Sequence, residues 1–389
     1  MMYIFPNKIK KTAIAFMIVG FLGLAYGFLS APKTIEQSKA MIEADHGDHH
    51  GAEHDEDNLK SHGTSSISEG SESHHNGEAH LNLDTNLNNT ETHSEGHEDA
   101  HDKHVFHQLA NKPWAAFYVS AFFFFMVSLG VLAFYAIQRA SQAGWSPVLF
   151  RVMEGITAYM LPGGIIVLVI LFLSSLHLNH LFIWMDPEIV AHDKLIAGKT
   201  GYLNTPFFLA RAIFFLVGWS LYRYFSRKFS LEQDKASDIS NHKKNFRISA
   251  AFLVFYIVTE SIMSWDWIMS VDPHWFSTLF GWYVFASMFV SGITAIALIT
   301  IYLKSNGYLE FVNDSHIHDL GKFMFGISIF WTYLWFSQFM LIWYSNIPEE
   351  VTYFISRIED YNLPFFGMLV MNFIFPLLIL MNSDYKRIN

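Results

Sequence analysis

Eight stretches of about 20 predominantly apolar residues recur along this chain, and they limit its possible folds more than any other feature. A helix rises about 1.5 Å per residue, so roughly 20 residues cross the ~30 Å hydrocarbon core of a membrane. The stretches lie at about 12–30, 114–137, 152–176, 206–225, 248–269, 279–303, 320–344 and 363–381. Mean hydropathy is only +0.24, because one long polar segment dilutes the rest. We predict an all-α, polytopic membrane protein.

Basic residues are distributed unevenly between the predicted loops. Three lysines precede the first span, and together with alternate loops along the chain they account for 16 of the 25 Lys and Arg residues. The opposite short loops carry only Lys194, Lys199 and Arg357. Because cytoplasmic loops are enriched in Lys and Arg, this bias predicts a cytoplasmic N-terminus. Residues 1–36 then form an N-terminal anchor, and the segment FLSAPKT lacks the A-x-A pattern of a cleaved signal peptide.

Residues 37–107 form a polar segment rich in His, Asp, Glu, Ser, Gly and Asn, without apolar periodicity. Such a composition cannot bury a core, so we expect a disordered loop, which the charge bias places in the periplasm. Imidazole and carboxylate groups suit Zn²⁺, Cu²⁺ or Ni²⁺. The candidate metal ligands are His46, His49, His50 and His54. Their irregular spacing favours a solvated acidic spacer, with metal capture as the alternative.

The cysteine and histidine content argues against redox centres held by this chain. There is no cysteine, and 13 of the 20 histidines lie between His46 and His107. Without thiolates the chain cannot hold an iron–sulfur cluster, a thioether-attached haem or a disulfide. No predicted span has a histidine in its middle, which argues against a bis-histidine haem or a haem–copper centre. We therefore expect this chain to bind no cofactor.

The run ESIMSWDWIMSVDPHWFS at 260–277 places acidic residues beside sequence suited to lipid. A lone acid in hydrocarbon costs about 2.5–3.5 kcal/mol, so an embedded carboxyl group indicates a functional site by default. Glu260 lies about midway along the fifth predicted span and shares a helical face with Ser264 and Trp267. We predict a buried carboxyl group that exchanges protons. The alternative is a polar group that fixes helix register.

Three further charged residues lie within predicted spans. Arg211 and Asp266 have comparable depths in the fourth and fifth spans, and we predict that they pair. The pair fits either a proton path or a structural contact. Glu154 follows Arg151 by three residues near the cytoplasmic start of the third span. It fits either a carboxylate paired locally at the interface or a member of the proton path.

Polar residues of the sixth and seventh spans could extend such a path. Hydroxyl groups at helical spacing usually bond a neighbouring helix or their own backbone, so helix packing is the simpler interpretation. Next to a buried glutamate they could also carry protons. With Ser264, the candidates are Ser291, Thr332 and Gln338.

Asp272, Pro273 and His274 fall in the predicted periplasmic turn between the fifth and sixth spans. Asp before Pro is typical of a turn, and His274 with Trp275 suits the aromatic interface of a membrane. The alternative is a polar pocket for quinol near the periplasmic surface. Such a pocket would use Asp272, His274, Asp186, His177 and His180.

Three segments carry a resemblance to a known family: SWDWIMSVDPHWFSTLFGWY (264–283), GYLNTPFFLARAIFF (201–215) and WFSQFMLIWYSNIPEE (335–350). They resemble the large membrane subunits of alternative complex III, in the NrfD/PsrC-like superfamily. That complex is a bacterial quinol:cytochrome c oxidoreductase, or delivers electrons directly to an oxidase. The resemblance covers about 114–389. The anchor and long periplasmic insert are similar to the F-type subunit, ActF, more than to the C-type paralogue, ActC.

The resemblance implies an NrfD-like fold of two four-helix bundles plus peripheral helices, usually with ten spans. Residues 108–247 would form part of the first bundle, and residues 248–389 would complete it and begin the second. Eight spans are visible here, so we expect the second bundle to be incomplete in this sequence, as in a partial reading of a longer chain.

The resemblance also implies a location in the bacterial inner membrane and a set of partners. The partners would be the ActC paralogue, the iron–sulfur subunit ActB, multihaem and monohaem c-type cytochrome subunits and, in some cases, a terminal cytochrome oxidase. Menaquinol or another quinol, iron–sulfur clusters and c-type haems belong to that complex. No nucleic acid is expected as a partner.

Three functions follow as expectations. The first is a cofactor-free membrane subunit that supports the complex and provides a proton-conducting path, with no catalytic residue of its own. The second is a subunit that itself binds quinol. The third is a metal transporter that uses the His-rich loop as a collector, but such transporters need ligands inside their spans, and no internal histidine is present.

Overall fold

The computed structural model describes residues 6–41, 91–384 and 386, with the backbone alone for residues 91–104. The regular secondary structure of these residues is helical, with no strand among them. Contacts divide the chain into two compact units: residues 1–24 with 114–389, and residues 25–113. The first unit contains the membrane-type helices discussed below. The second contains the end of the first helix, a short helix at residues 35–41 and the start of the helix that begins at Glu91.

Nine helices organise the described part of the chain. They are α1 (Asn7–Ser30), α2 (Glu91–Ala140), α3 (Pro147–Ser175), α4 (Thr205–Gln233), α5 (Ser240–Val271), α6 (Phe280–Ser305), α7 (Asp314–Ser345), α8 (Pro348–Glu359) and α9 (Asn362–Leu380). All except α8 are long and apolar enough to cross a membrane, α2 from Val105 onward. The prediction of eight apolar spans in an all-α protein is therefore confirmed.

Local irregularities interrupt several of these helices. α3 starts with a 3₁₀ turn and contains a second one at Thr157–Tyr159, and α5 ends in a 3₁₀ turn at Met269–Val271. α9 contains a π-helical segment at Val370–Ile374. Two short helices, Pro187–His192 and Lys194–Ala197, occupy the loop between α3 and α4. Aspartate side chains cap both of them, because Asp186 and Asp193 accept hydrogen bonds from the first free backbone N–H groups.

The prediction of a disordered loop at 37–107 differs from the structure at both ends of that range. Residues 35–41 are helical, and α2 begins at Glu91, well before the predicted boundary. Acidic residues such as Glu91 favour the positive end of the helix dipole, and apolar periodicity is not needed to continue a helix that a long apolar segment anchors. Residues 42–90, with His46, His49, His50 and His54, lie outside the described residues.

Helix α2 packs at the centre of the larger unit, since 61% of its apolar window is buried, the largest share among the eight apolar helices described. Phe125 contributes a ring 6.2 Å from Trp219 of α4 and 6.0 Å from Trp267 of α5. Ser128 donates a hydrogen bond to Ile156 O of α3 at 3.3 Å. α2 therefore contacts α3, α4 and α5, the helices expected to form one four-helix bundle with it.

The antiparallel helices α4 and α5 are joined by polar pairs along most of their length. From one end to the other these pairs are Arg211–Asp266, Trp219–Thr259, Tyr222–Ser249 and Ser226–Asn245. All eight side chains are buried. Hydrogen bonds between membrane helices fix their relative register, because the alternative is an unsatisfied polar group in hydrocarbon. α4 and α5 therefore have one defined alignment.

Helix α6 crosses α2 at glycines. A methyl group added at Gly130 would lie 2.6 Å from the carbonyl oxygen of Met288, and one added at Gly292 would lie 3.1 Å from the backbone nitrogen of Val131. Small residues let membrane helices approach to backbone contact. This crossing joins α2 to the group formed by α6, α7 and α9. Within that group the Trp331 indole donates a hydrogen bond to Ser287 Oγ at 2.9 Å.

Helix α8 is a short amphipathic helix that the sequence analysis did not predict. Its Phe354 is buried between Phe339 of α7 and Phe365 of α9, with ring centroids 5.3 and 6.1 Å away. Tyr353 stacks on Trp275 of the turn after α5, at 4.0 Å between centroids and an interplanar angle of 17°. The apolar spacing at Val351, Phe354 and Ile358 was the available signal. α8 thus links the turn after α5 to α7 and α9.

The glycine crossing yields a stability prediction. Gly130→Ala should lower the free energy of unfolding by about 1–3 kcal/mol, because its methyl group meets backbone rather than a flexible side chain. Gly326→Ala in α7 is the matched control, since nothing lies within 4 Å of its added methyl group, and alanine favours the helix. Unfolding in mixed detergent micelles followed by circular dichroism measures both. Equal stabilities for the two variants would contradict the backbone contact between α2 and α6.

Candidate functional site

Arg211 and Asp266 form a bidentate ion pair between α4 and α5, as the sequence predicts. Arg211 Nε donates to Asp266 Oδ2 at 2.6 Å, and Nη2 donates to Oδ1 at 3.0 Å. Arg211 is 8% exposed and Asp266 is fully buried. The guanidinium carbon also lies 4.1 Å from the ring centroid of Tyr202 and 4.2 Å from that of Phe207. Aromatic faces and a carboxylate together compensate a charge that has left water.

Among the described residues, Glu260 is the one carboxyl group with a buried oxygen that lacks a hydrogen-bond partner. It is 2% exposed, and its Oε1 has no hydrogen-bond partner among the described residues. The predicted shared face is confirmed, since Ser264 and Trp267 are buried as well. Ser264 Oγ, however, donates to Ser261 O at 2.7 Å and not to Glu260. An unpaired buried oxygen of this kind is costly for an ionised carboxylate, and a protonated carboxyl group lowers that cost.

Helix α5 extends beyond the predicted fifth span. α5 begins at Ser240, eight residues before the predicted span, because the polar residues SNHKKNFR continue the helix beyond its apolar part. An apolar stretch of sequence marks the part of a helix that crosses the hydrocarbon core of a membrane, and it does not mark where the helix begins and ends. Glu260 stays about midway along the apolar span 248–269 and about 10 Å from Trp267 at 1.5 Å per residue, because the added residues precede that span.

Glu154 lies in a group of arginines at the opposite end of these helices. Its Oε2 accepts hydrogen bonds from Arg151 Nη1 at 2.6 Å and from Arg227. Its Oε1 accepts one from Tyr135 at 3.1 Å and lies 3.8 Å from Arg139 Nη2. The local pairing with Arg151 is confirmed. Arg139 of α2 and Arg227 of α4 were not predicted as partners, and the only sequence signal was their position at helix ends on the same predicted side.

A chain of hydrogen bonds runs from Glu154 into the protein. Tyr135 Oη links Glu154 to Ser226, whose Oγ lies 3.3 Å away. Ser226 Oγ donates to Asn245 Oδ1 at 2.7 Å. Ser249 Oγ lies 3.4 Å from Asn245 Oδ1 and 2.8 Å from the hydroxyl of Tyr222. All of these side chains are buried, so the chain is a polar path inside an apolar bundle.

An aromatic layer separates this chain from Glu260. Tyr222 stacks on Phe252 at 3.9 Å, and Tyr256 follows one turn later on α5. Eleven residues separate Ser249 from Glu260, or about 16 Å of helix. The site thus has two polar levels: an arginine-rich one that reaches Ser249, and a second one at Glu260 and the Arg211–Asp266 pair.

The candidates on α6 and α7 bond elsewhere. Thr332 Oγ1 donates to Ser328 O of its own helix at 2.8 Å, and Gln338 Oε1 accepts from Ser277 at 2.6 Å. Ser291 lines a cavity described below. No contact in the described part of the chain joins any of them to Glu260. Helix packing accounts for Thr332, and Gln338 binds the turn before α6.

The structure brings together only part of the predicted quinol-site residues. His274 Nε2 lies 2.5 Å from Asp193 Oδ2, and its Nδ1 lies 3.9 Å from Asp272 Oδ1. The sequence analysis did not predict Asp193 as a partner, because the sequence of its loop does not indicate a contact with His274, 81 residues further along the chain. Asp186 instead caps the helix Pro187–His192, and His177 occupies a left-handed turn with φ 57° at the end of α3.

Two charged side chains at this end of the bundle have shifted pKa values. The hydrogen bond from His274 holds the pKa of Asp193 below its usual value. Burial lowers the pKa of Lys199, whose ammonium group donates to Pro273 O at 2.5 Å. These contacts tie the loop between α3 and α4 to the turn between α5 and α6. Among the described residues no group of three His, Asp or Glu side chains could hold a metal ion.

A cavity of about 640 Å³ lies beside this end of the bundle, between α2, α5, α6 and α8. Its walls are mainly apolar and include Tyr118, Phe122 and Trp275. Its polar lining residues include Asp272, Ser287, Ser291 and Arg357. Arg357 Nη1 donates to Tyr353 O at 2.6 Å, and its guanidinium carbon lies 3.4 Å from the ring centroid of Tyr353. The volume is within the range of small-molecule sites.

The Arg211–Asp266 geometry gives a prediction. Arg211→Leu should cost about 3–5 kcal/mol of stability, because it leaves a buried carboxylate without a partner. Arg211→Leu combined with Asp266→Leu should recover most of that loss, since no charge is then buried. Unfolding of the two single variants and the double variant in mixed micelles gives the coupling energy. Strictly additive losses would show that the two side chains do not act as a pair.

No protein-family model matches this chain, and no curated protein matches it. The three segments that carry the resemblance nevertheless meet in space. Arg211 of the segment 201–215 binds Asp266 of 264–283, and Ser277 of that second segment binds Gln338 of 335–350. The three segments are therefore parts of one contact network. Glu260 lies four residues before the segment 264–283.

Proposed function

We propose that this chain is a cofactor-free membrane subunit of a quinol-oxidising respiratory complex of the alternative complex III type. In that complex it provides structural support and a path for protons. The observation that carries the proposal is Glu260, a buried carboxyl group with an unpaired oxygen at the second polar level. The type of complex is inferred from the resemblance to the F-type subunits and to the NrfD-like superfamily. The proposed location is the bacterial inner membrane.

The charge distribution orients the proposed path. With the N-terminus in the cytoplasm, the arginine-rich level at Glu154 faces the cytoplasm, and the Arg211–Asp266 pair lies toward the periplasm. The loops after α3, α5 and α7 share one end of the bundle, because Lys199 contacts Pro273 and Tyr353 stacks on Trp275. These are the loops with few basic residues. The contacts are thus compatible with the orientation that the basic residues favour.

The hydrogen-bond chain supports the cytoplasmic half of the path. Protons can pass along hydroxyl and carboxyl groups within hydrogen-bond distance, as from Glu154 to Ser226. Asn245 then accepts from both Ser226 and Ser249 through one amide oxygen, which does not relay a proton, so passage beyond it needs water. From Ser249 to Glu260 the aromatic layer of Phe252 and Tyr256 intervenes. Transfer across this layer needs water to enter, so the layer is the place where the complex would control proton movement.

Proton delivery through Glu260 is tested in the intact complex, purified through a tag on this chain. Multihaem c-type and iron–sulfur partners should co-purify. Glu260→Gln should leave quinol oxidation in detergent largely intact and reduce proton uptake in sealed vesicles, because glutamine fills the same volume but cannot release a proton. A pH-sensitive dye trapped in the vesicles measures the ratio of protons to electrons.

Glu310→Gln is the matched control, since Glu310 is an exposed residue of the loop between α6 and α7. That variant should behave like the unchanged protein. An unchanged ratio of protons to electrons in Glu260→Gln would remove the proton path from the proposal. The absence of haem and iron–sulfur partners from the purified material would remove the complex itself.

The 640 Å³ cavity favours a second candidate function, in which the chain itself binds quinol. The cavity joins apolar walls, which suit an isoprenoid tail, to Asp272 and Arg357, which could orient a polar ring. Tyr118 and Trp275 bound the same space. In this alternative the polar turn after α5 serves as part of a ligand site and not only as a helix connection.

A photoreactive quinone analogue distinguishes the two functions. Labelling of peptides around Tyr118 or Trp275 is expected if this chain holds quinol. Val284→Phe should then suppress the label, because Val284 lines the cavity and the larger ring fills it. Val290→Phe, on the same helix but outside the lining, is the control. Label found on partner subunits and never on this chain would exclude quinol binding here.

A further inference from the structure

The arginine-rich level has more positive charge than its carboxylates compensate. Four guanidinium groups meet there, and they are defined here as the arginine group: Arg139, Arg151, Arg223 and Arg227. The carboxylates within reach are Glu154, which binds three of them, and Asp234, which binds Arg151. Clustered cations at the end of a membrane bundle repel one another unless an anion joins them.

Arg223 is the member of this group without an internal partner. Its Nε is buried, yet no hydrogen-bond acceptor lies within reach in the described part of the chain. Arg227, one turn further along α4, binds Glu154. Arg223 and Arg227 share a helical face, four residues apart, so both guanidinium groups can reach one ligand. A guanidinium group is suited to planar, bidentate binding of a phosphate group.

The level of Arg223 in the bundle coincides with the edge of the apolar surface. Leu221, Tyr224 and Phe225 of α4 are 50, 61 and 42% exposed, and the exposed residue that follows them is Lys228. An exposed apolar band that ends in basic residues marks the boundary between acyl chains and headgroups. Arg223 therefore lies at the depth of a lipid phosphate, on the flank of α4 that faces Glu154 of α3 and not on the most exposed face.

We propose that Arg223 and Arg227 bind the phosphate group of an anionic amphiphile at the flank of α4 that faces α3. The ligand class is a phosphate ester, with an anionic phospholipid as the favoured source and free phosphate as the alternative. Its negative charge offsets the excess of the arginine group, at the level where the exposed apolar band of α4 ends. The proposal does not rest on proton conduction or on quinol binding.

Native mass spectrometry tests this site with the full chain in neutral detergent. Phosphatidylglycerol should be retained about tenfold more than phosphatidylcholine, in keeping with one charge-assisted, bidentate contact. Arg223→Gln should abolish that preference, and Arg223→Lys should restore part of it, because lysine keeps the charge without the fork. Arg247→Gln, an exposed arginine of α5 at the same end of the bundle, is the matched control and should keep the preference.

Separate outcomes distinguish the two sources of phosphate. Displacement of phosphatidylglycerol by inorganic phosphate in the unchanged protein, but not in Arg223→Gln, would assign the site to free phosphate. Retention of phosphatidylglycerol against inorganic phosphate would assign it to lipid. Equal lipid preference in the Arg223→Gln and Arg247→Gln variants, both with the melting temperature of the unchanged protein, would overturn the proposal. So would a lack of preference in the unchanged protein.

Discussion

The alignment of α4 with α5 determines where almost every polar group of the bundle lies. The ion pair at Arg211 and Asp266 fixes one end of that interface, and the amide and hydroxyl contacts at Ser226 and Asn245 fix the other. A slip of one turn would leave both sets unpaired in a dry interior, where each lost contact is costly. Glu260 lies on α5, whose position relative to α4 these contacts fix. Its isolation is therefore a property of the aligned pair, not of its own neighbours alone.

Two polar levels within one apolar bundle are hard to explain by stability alone. The ion pair could be replaced by well-packed apolar side chains at little cost, as buried pairs in other proteins can. Glu260 contributes no hydrogen bond through Oε1 to compensate its burial. Ionisable residues kept inside membrane helices usually mark a path for ions or protons. The aromatic layer between the levels provides the barrier that such a path requires.

The sequence predicted the membrane helices well, because the length and hydropathy needed to cross a bilayer leave little freedom. It also predicted the Arg211–Asp266 pair, since two opposite charges at equal depth on adjacent helices have few other solutions. It could not predict Arg227 or Asp193 as partners. Those contacts depend on how loops and helix ends from distant parts of the chain fold together. Apolar stretches also did not predict where α5 begins, because the helix continues through polar residues before its apolar part.

The stack of Tyr353 on Trp275 has a mechanical consequence. Helix α8 is short, and its Tyr353 ring contacts Trp275 in the turn that follows α5. A protein that pressed on α8 would load this turn, and the turn leads back within ten residues to Asp266. A load on α8 would thus reach the segment of the charged pair through this ring-to-ring contact, while Phe354 would transmit part of it to α7 and α9.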